Sequence, residues 1–236
     1  MKRISVCIAS YNGQPYIARQ IESILPQLDL EDEIIVSDDF STDETKKILA
    51  RFRDRRIKVL NNAGPKGPLS NFQTALEQAT NDFIFLCDQD DVWLPEKVHK
   101  MLAFLEHYDL VISDCKIVNN SLKEISPSFF KLRGSHKGLL RNIYKNSYIG
   151  CCMAFRREVL LYALPFPAYI HMHDWWIGLL VEMKGKVFFY NDPLILYVRH
   201  GNNASPTGEL EISANWLARL FNRVVLVFSL VMRLLK

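Results

Sequence analysis

The stretch Phe83-Ile84-Phe85-Leu86-Cys87-Asp88-Gln89-Asp90-Asp91-Val92-Trp93 decides how this chain is read. An apolar run of strand length empties into three carboxylates within four residues. Just beyond, Leu94-Pro95-Glu96 reads as a helix start, with Pro early and an acid in the first turn. Carboxylates at the carboxyl end of a buried strand stand where open α/β sheets bind ligands. Crowded together, they repel one another unless a cation offsets the charge. Hard divalent ions such as Mg²⁺ or Mn²⁺ want oxygen ligands of this kind, typically one or two carboxylates plus substrate phosphates. A solvated acidic turn is the competing reading. The strand in front and the helix behind favour a metal–diphosphate site.

Working back towards the start, the pattern alternates. Residues 3–9 form a short continuous apolar run, as a strand buried on both faces requires. Ser10-Tyr11-Asn12-Gly13 is its turn, and residues 16–28 carry Ile17, Ile21, Ile24, Leu25 and Leu28 at helical spacing. Glu33-Ile34-Ile35-Val36-Ser37 is a second strand ending in Asp38-Asp39. Ser41 with Glu44 fits a capping box for a helix over about 42–53. Residues 57–60 are a third strand, the turn formers of 61–68 follow, and a helix over about 69–79 leads to the strand at 82–87. Four such alternations predict a mostly parallel, doubly wound α/β sheet. Two of the first four strands end in clustered Asp, so acids gather on one edge of that sheet.

After residue 107 the periodicity loosens. Residues 110–112 and 117–118 look like strands, and 120–147 is a long stretch of weak pattern, as expected of a lid or binding loop. Within it Lys131, Arg133, Lys137, Arg141 and Lys145 stand without an acid between 125 and 150. Residues 149–155 are apolar again, and 156–164 read as a helix stopped by Pro165. His173-Asp174-Trp175-Trp176 opens a helix to about Lys184, closed by Gly185. Residues 187–190 and 194–198 are two short strands, the second ending in Arg199-His200-Gly201-Asn202-Asn203.

Composition sets the outer bounds. A chain of 236 residues, 49% apolar and 23% charged, suffices for one large domain with a real core. Its net charge of +3 does not point to nucleic acid. Five cysteines without a C-x-x-C spacing form no disulfide or zinc framework, which fits a reducing, cytoplasmic setting. The run after Met1-Lys2-Arg3 is too short for a secretory signal and reads as the first strand. In the last segment, 215–236, the longest uncharged run covers 224–232, too short to span a bilayer. Asn215, Arg219, Asn222, Arg223, Ser229, Arg233 and Lys236 fall near one side of a helical wheel, against Trp216, Leu220, Phe221, Val224, Val227, Phe228 and Val231. Two readings stay open: an amphipathic helix on an anionic membrane surface, and a terminal helix packed on the domain.

These motifs in this order resemble the family 2 glycosyltransferases of GT-A fold. The resemblance is strongest to the rhamnosyltransferase-like enzymes of bacterial surface polysaccharides. The matching stretches are Val6-Cys7-Ile8-Ala9-Ser10-Tyr11-Asn12-Gly13, Val36-Ser37-Asp38-Asp39-Phe40-Ser41-Thr42-Asp43, Asp88-Gln89-Asp90-Asp91-Val92-Trp93, His173-Asp174-Trp175-Trp176 and Tyr197-Val198-Arg199-His200-Gly201-Asn202-Asn203. The resemblance implies a GT-A domain over 1–210, its nucleotide half 1–107 and acceptor half 108–210, followed by the amphipathic helix of 211–236. It implies an inverting, Mn²⁺- or Mg²⁺-dependent transfer of a hexosyl or deoxyhexosyl group from a UDP- or dTDP-sugar. The acceptor would be a saccharide on a lipid carrier at the inner face of the cell membrane.

Residue by residue, the resemblance gives Ser10, Tyr11 and Asn12 to the nucleotide pocket and Asp39 to the pyrimidine. Asp88 serves the ribose or assists the ion, while Asp90 is the metal ligand, with Asp91 as its competitor. Arg199 and His200 reach the diphosphate or complete the metal shell. Lys66 and Asn71 are placed by position instead, in the loop before the helix that precedes the central strand, where the nucleotide would touch them. Asp174 is the general base, its alternative being a helix cap. Trp175 and Trp176 are either a platform for the acceptor sugar or buried core. Two other classes stay in view: nucleotidyl transfer onto a sugar phosphate, which the single Gly of the first turn disfavours, and a non-catalytic nucleotide-sugar-binding protein.

Overall fold

The computed structural model describes residues 2–201 and 216–235. The turn at Asn202-Asn203, the boundary at 210/211 and Asn215 lie outside the described residues, as do the side chains of Trp216 and Arg219. Four strands of the first hundred residues pair in parallel: β1 (Ile4–Ser10), β2 (Glu33–Asp38), β3 (Ile57–Asn61) and β4 (Phe83–Asp88), in the order β3-β2-β1-β4. Between them run helices α1 (Ile17–Ile24), α2 (Thr45–Arg51) and α3 (Pro68–Glu77). Ile4, Val6, Cys7 and Ile8 of β1 and Ile84, Phe85, Leu86 and Cys87 of β4 have no exposed surface. That double-sided burial is why these strands read as unbroken apolar runs. All four end on one edge, where Ser10, Asp38 and Asp88 close their strands.

The second half completes the sheet with mixed directions. β5 (Val92–Trp93) and helix α4 (Lys97–Leu105) lead to β6 (Leu110–Asn119) and β7 (Glu124–Ser126). Short helices α5 (Phe129–Arg133) and α6 (Leu139–Tyr144) precede β8 (Met153–Arg156). Then come α7 (Leu160–Ala163), α8 (His173–Lys184), β9 (Val187–Arg199) and α9 (Trp216–Leu234). Among the described residues the strands form one nine-stranded sheet, continuing from β4 through β8, β6 and β9 to β5, with β7 on β6. β8 runs antiparallel to both β4 and β6, whereas β6 and β9 are parallel. One sheet thus carries both halves.

Several local expectations change. The two short strands expected at 110–118, and the two at 187–198, are single strands of 10 and 13 residues. Irregularities in their mutual register around Asp114 and Lys116 produced the apparent breaks. The 120–147 stretch is not structureless. It holds β7, α5 and α6, pinned where Asp114 accepts from the Phe130 N–H (2.9 Å) and the Ser128 hydroxyl, and where Glu182 Oε1 accepts from Gly138 N, Asn142 Nδ2 and Tyr148 Oη (2.7–3.0 Å). The capping box of Ser41 and Glu44 does not form. Ser41 Oγ accepts from Asn12 N at 2.8 Å, and Asp43 Oδ1 accepts from Thr45 N at 3.0 Å at the start of α2. Pro95 and Glu96 precede α4 rather than opening it, because Glu96 stands in the left-handed region at φ 65°.

The tryptophan pair is corrected from acceptor platform to core. Trp176 is fully buried and donates its indole N–H to the Ala163 carbonyl at 2.9 Å. Trp175 is 8% exposed and donates to the Asn142 carbonyl at 2.7 Å. A sugar platform needs an open ring face, and these rings spend theirs on packing α8. α9 also departs from the helical-wheel picture. Arg223 turns inward onto the Tyr144 carbonyl (2.6 and 3.0 Å), and Arg233 onto the carbonyls of Tyr162 and Leu164 (both 2.9 Å). Leu226 and Leu230 are buried, while Leu220, Phe221, Val224, Val227, Phe228 and Val231 remain exposed.

Trp176→Ala removes a large, fully buried side chain whose indole N–H is paired, so a loss of about 3–5 kcal/mol is expected in urea unfolding. Leu161→Ala, at a residue 85% exposed, is expected to stay within about 0.5 kcal/mol of the parent protein.

Candidate functional site

The carboxyl edge of β1, β2 and β4 is built by loops that lock onto each other. Gln89, immediately after β4, is the main clamp. Its Oε1 accepts from Tyr11 N (2.9 Å) and Ser10 Oγ (3.0 Å), and its Nε2 donates to the Tyr11 carbonyl (2.9 Å). The side chain thus behaves as a short piece of strand laid beside Tyr11. Asn12 and Phe40, at corresponding turns after β1 and β2, both adopt left-handed backbone, at φ 47° and 59°. For a residue as bulky as Phe40 that conformation costs energy and marks a turn held by its surroundings. Asn12 is held by Ser41 Oγ on its N–H, and its Oδ1 accepts from Thr42 N at 2.9 Å.

Within this frame the expected nucleotide residues divide. Tyr11 is 52% exposed and offers its ring at the rim. Ser10 is buried, its hydroxyl committed to Gln89. Asp39 pins the following loop, accepting from Asn62 Nδ2 (2.7 Å) on one oxygen and from Gly67 N (2.8 Å) on the other. Lys66 is exposed on that loop, its Nζ 5.8 Å from the centre of the Phe40 ring. Asn71 is corrected. It lies inside α3 rather than in a loop, is 2% exposed, and donates its amide to the Ser10 carbonyl at 3.0 Å. It supports the end of β1 from inside the fold.

The acidic turn comes next. Asp90 Oδ2 and His200 Nε2 meet at 2.8 Å, so residues 110 apart in sequence close one site. The His200 ring stacks on Tyr16, with centroids 4.4 Å apart and planes 10° from parallel. Arg19, one turn along α1 from Tyr16, donates to the Asp90 carbonyl at 3.1 Å. Asp91 is fully buried; its Oδ1 accepts from Val198 N at 3.0 Å and ties the turn to β9. Arg199 follows at the end of β9, half-buried. Burial pushes the carboxyls of Asp88, Asp90 and Asp91 up, Asp90 adds repulsion on both of its neighbours, and His200 partly offsets the shift at Asp90. Such a set of oxygen donors with an imidazole beside it, and with Asp91 Oδ2 buried without a hydrogen-bond partner, fits a divalent cation. Asp90 is buried, and Asp88 and His200 are half-buried.

Asp174 sits on the other wall, in the first turn of α8. It is 3% exposed, and its two oxygens accept from Trp175 N (2.6 Å) and Gly150 N (3.0 Å). Burial pushes its carboxyl up to about 7 despite those N–H donors. Met172, not Asp174, occupies the position before the helix, so the capping alternative fails in its simple form. Beside it, the His173 imidazole is buried against Phe72 (centroids 4.0 Å apart) and burial drives it down to about 3, so it stays neutral. Gln89, Tyr16 and Arg19 are the site residues that sequence reasoning missed. Arg19 follows Tyr16 by three residues on one helix face, which was the available signal.

Comparison with known proteins agrees with this geometry. The profile of glycosyl transferase family 2 matches residues 5–161. WfgD of Escherichia coli, a UDP-Glc:alpha-D-GlcNAc-diphosphoundecaprenol beta-1,3-glucosyltransferase, is 30% identical over 193 residues, 80% of this chain and 73% of that protein. The structure of TarS from S. aureus in complex with UDP-GlcNAc superposes with a TM-score of 0.69 at 23% identity, over 96% of this chain and 66% of that one. Glucosyl-3-phosphoglycerate synthase from Mycobacterium tuberculosis, in complex with Mn²⁺, UDP and phosphoglyceric acid, gives a TM-score of 0.61 at 24% identity, over 94% and 78%. With its edge of clamped loops and acids, and the mixed sheet beneath them, the chain belongs to glycosyl transferase family 2, an enzyme family of nucleotide-sugar transferases, and has the GT-A fold.

Proposed function

We propose that the protein is an inverting hexosyltransferase that takes a UDP-sugar as donor and a saccharide on a diphosphate-linked lipid as acceptor. The observation that carries this is Asp174, a buried carboxyl pushed up to about 7 and close enough to Asp88 to raise that group in turn, beside the Asp90–His200 pair. UDP-glucose is the favoured donor, since WfgD uses it on a diphosphoundecaprenol-linked acceptor; dTDP-rhamnose is the alternative to test beside it. The nucleotide lies along the edge of β1 and β2, with Tyr11 against the base or ribose. Asp39 accepts from the pyrimidine through lone pairs left over from Asn62 and Gly67, and Lys66 reaches a phosphate.

A divalent ion, Mn²⁺ or Mg²⁺, held by Asp90 and His200 with help from Asp88, supplies Lewis-acid stabilisation to the diphosphate. Arg199 adds charge on the same side. Asp174 takes the proton from the acceptor hydroxyl as its oxygen bonds to the anomeric carbon. The bond from that carbon to the diphosphate oxygen breaks on the opposite face, so configuration inverts and no covalent enzyme intermediate forms. With its carboxyl pushed up to about 7, Asp174 sits near half-ionisation at neutral pH, the range in which a general base works best.

The acceptor reading also suggests a place. Among the described residues no helix is long and apolar enough to cross a membrane. The exposed apolar face of α9 and the neighbouring exposed cations Lys131, Lys137, Arg141 and Lys145 are suited to the surface of an anionic bilayer. We infer peripheral attachment at its cytoplasmic face.

Turnover of one donor from a panel of UDP- and dTDP-sugars, abolished by EDTA and in Asp90→Ala, is the expected outcome of a transfer assay with Mn²⁺ or Mg²⁺. Absence of turnover with every donor, with UDP binding unchanged in Asp90→Ala, would overturn the reading in favour of a binding protein. Asp174→Asn is expected to lower kcat by about 10²–10⁴-fold while leaving UDP affinity in place.

In the parent enzyme the rate should rise with pH on an acidic limb at or below about pH 7. The groups facing Asp174 are Asp88, Cys152 and the neutral His173, and a cation near Asp88 moves the limb downward. Stability should run the other way. The folded protein holds the Asp174 proton more tightly than the unfolded chain, so this group's contribution falls as pH rises from about 4 to about 7. The Tm of Asp174→Asn relative to the parent should therefore improve from pH 5 to pH 8. A pH-independent difference would remove the shifted carboxyl from the argument.

For the membrane, sedimentation with vesicles containing phosphatidylglycerol should fall several-fold for Phe221→Asp/Phe228→Asp, and at low salt for the charge reversal of Lys131, Arg133 and Lys137. Unchanged sedimentation of both variants would exclude α9 and the basic stretch as the contact.

A further inference from the structure

Behind the acidic turn lies a group of buried thiols that the transfer reaction does not use: Cys87 on β4, Cys115 on β6, and Cys151 and Cys152 in the single turn before β8. Cys151 stands out by its position. Its Sγ, one carboxylate oxygen of Asp88 and one of Asp91 all lie within 4.8 Å of one another. Cys151 and Asp91 have no exposed surface, whereas Asp88 is half-buried at the end of its strand. A second, independent feature is the carboxylate of Asp91. Its Oδ1 accepts from Val198 N, but its Oδ2 is buried with no hydrogen-bond partner. A buried charged oxygen left unpaired is costly, and a cation is the ligand that would satisfy it.

We propose that Asp88, Asp91 and Cys151 form an inner cation site, separate from the Asp90–His200 pair, that takes a thiophilic divalent ion such as Zn²⁺ or Cd²⁺ in preference to Mg²⁺. The donor set decides the preference. Mg²⁺ demands near-octahedral oxygen coordination and gives up water reluctantly. Zn²⁺ and Cd²⁺ accept sulfur, and Zn²⁺ is content with four ligands, so three protein groups leave one position for water. The ligand atoms need to draw in by less than about 1.5 Å to reach ordinary metal–ligand geometry. On binding, the Cys151 thiol gives its proton to the buffer and the sulfur bonds to the ion, and any proton held by the Asp88 or Asp91 carboxyl leaves with it, so at least one proton is released per ion taken up. The negative charge that remains has a neighbour of opposite sign: Lys97 is fully buried and its Nζ donates to the Cys151 carbonyl at 3.2 Å. The site shares Asp88 with the edge proposed for the transferase cation but draws on Asp91 and Cys151 instead of Asp90 and His200, and its test needs no donor turnover.

The test is titration of the metal-free full-length chain with Cd²⁺, followed by the ultraviolet thiolate-to-cadmium absorption, alongside calorimetry of Zn²⁺ in buffers of different protonation enthalpy. The expected result is one Cd²⁺ per chain with proton release, undisturbed by excess Mg²⁺. The absorption should be lost in Cys151→Ser and kept in Asp90→Ala, and affinity should fall at least about 10-fold in Asp91→Asn. No absorption, absorption that survives Cys151→Ser, or absorption lost in Asp90→Ala would each overturn the proposal. Should Cys151→Ser fail to fold, cadmium NMR of the parent chain reads sulfur ligation directly, and an oxygen-only shift would likewise overturn it.

Discussion

Bringing three carboxylates to one strand end, out of water, sets the terms for the rest of this protein. Asp88, Asp90 and Asp91 are each pushed towards the protonated form by burial, and Asp90 repels its two neighbours. Distant parts of the chain answer that cost. His200 comes to Asp90 from the end of β9, and the Val198 N–H, two residues earlier, comes to Asp91. Both arrive because β9, paired in parallel with β6 on one side and with the edge strand β5 on the other, carries its last residues to the acidic turn. The length of β9 thus has an electrostatic use. Arg19 and Tyr16 serve the same edge from α1, one by holding the turn's backbone and the other by fixing the plane of the imidazole.

Asp174 is treated differently, and the difference is chemical. It has no cationic partner among its contacts, only two backbone N–H groups, and these leave its carboxyl near neutrality. A pairing cation would make it a poor base by holding the carboxylate form too firmly. Precision comes instead from α8, whose residues from Asp174 to Val181 are all buried. The indoles of Trp175 and Trp176 anchor this helix through N–H bonds to carbonyls of two separate segments. A base on a packed helix is better positioned than one on a loop. Gly150, which donates to Asp174, is followed directly by Cys151, so the proposed base and the acids of the turn are joined through one residue step.

The sequence announced the parts whose signal is local. Continuous apolar runs located β1, β2 and β4, the last two ending in Asp, and the acidic turn was plain because its three carboxylates stand between a strand and a helix start. The helix His173–Lys184 was legible in both boundaries. Contacts between loops stayed hidden. Nothing in the spacing of Ser41 and Glu44 shows that Ser41 would cap the backbone of Asn12 rather than a helix, because the partner lies 29 residues away and on another turn. Gln89 looked like a spacer between acids, yet its amide can imitate a peptide group and clamp Tyr11. Trp175 and Trp176 beside an acid resembled a sugar platform, and only the packing of α8 against the segments carrying Asn142 and Ala163 shows their faces to be covered. The register irregularities between β6 and β9 broke two long strands into apparent pairs for a similar reason: hydrophobic alternation reports one strand's faces and says nothing of a neighbour's slippage.

The same limit explains α9. A helical wheel assigns the arginines to water, since charge ordinarily faces solvent. Here Arg223 and Arg233 turn onto carbonyls exposed where α6 and the segment 162–165 end, and those carbonyls require donors. Once the polar side of the helix is spent on the domain, the apolar side has nowhere to go but outward. An uninterrupted row of Leu220, Phe221, Val224, Val227, Phe228 and Val231 in water is unfavourable by the area it exposes. Docking through arginine thus fixes the helix on the domain and obliges its other face to find a second apolar surface. Under the proposed lipid-linked acceptor, a bilayer would supply one without any further protein contact.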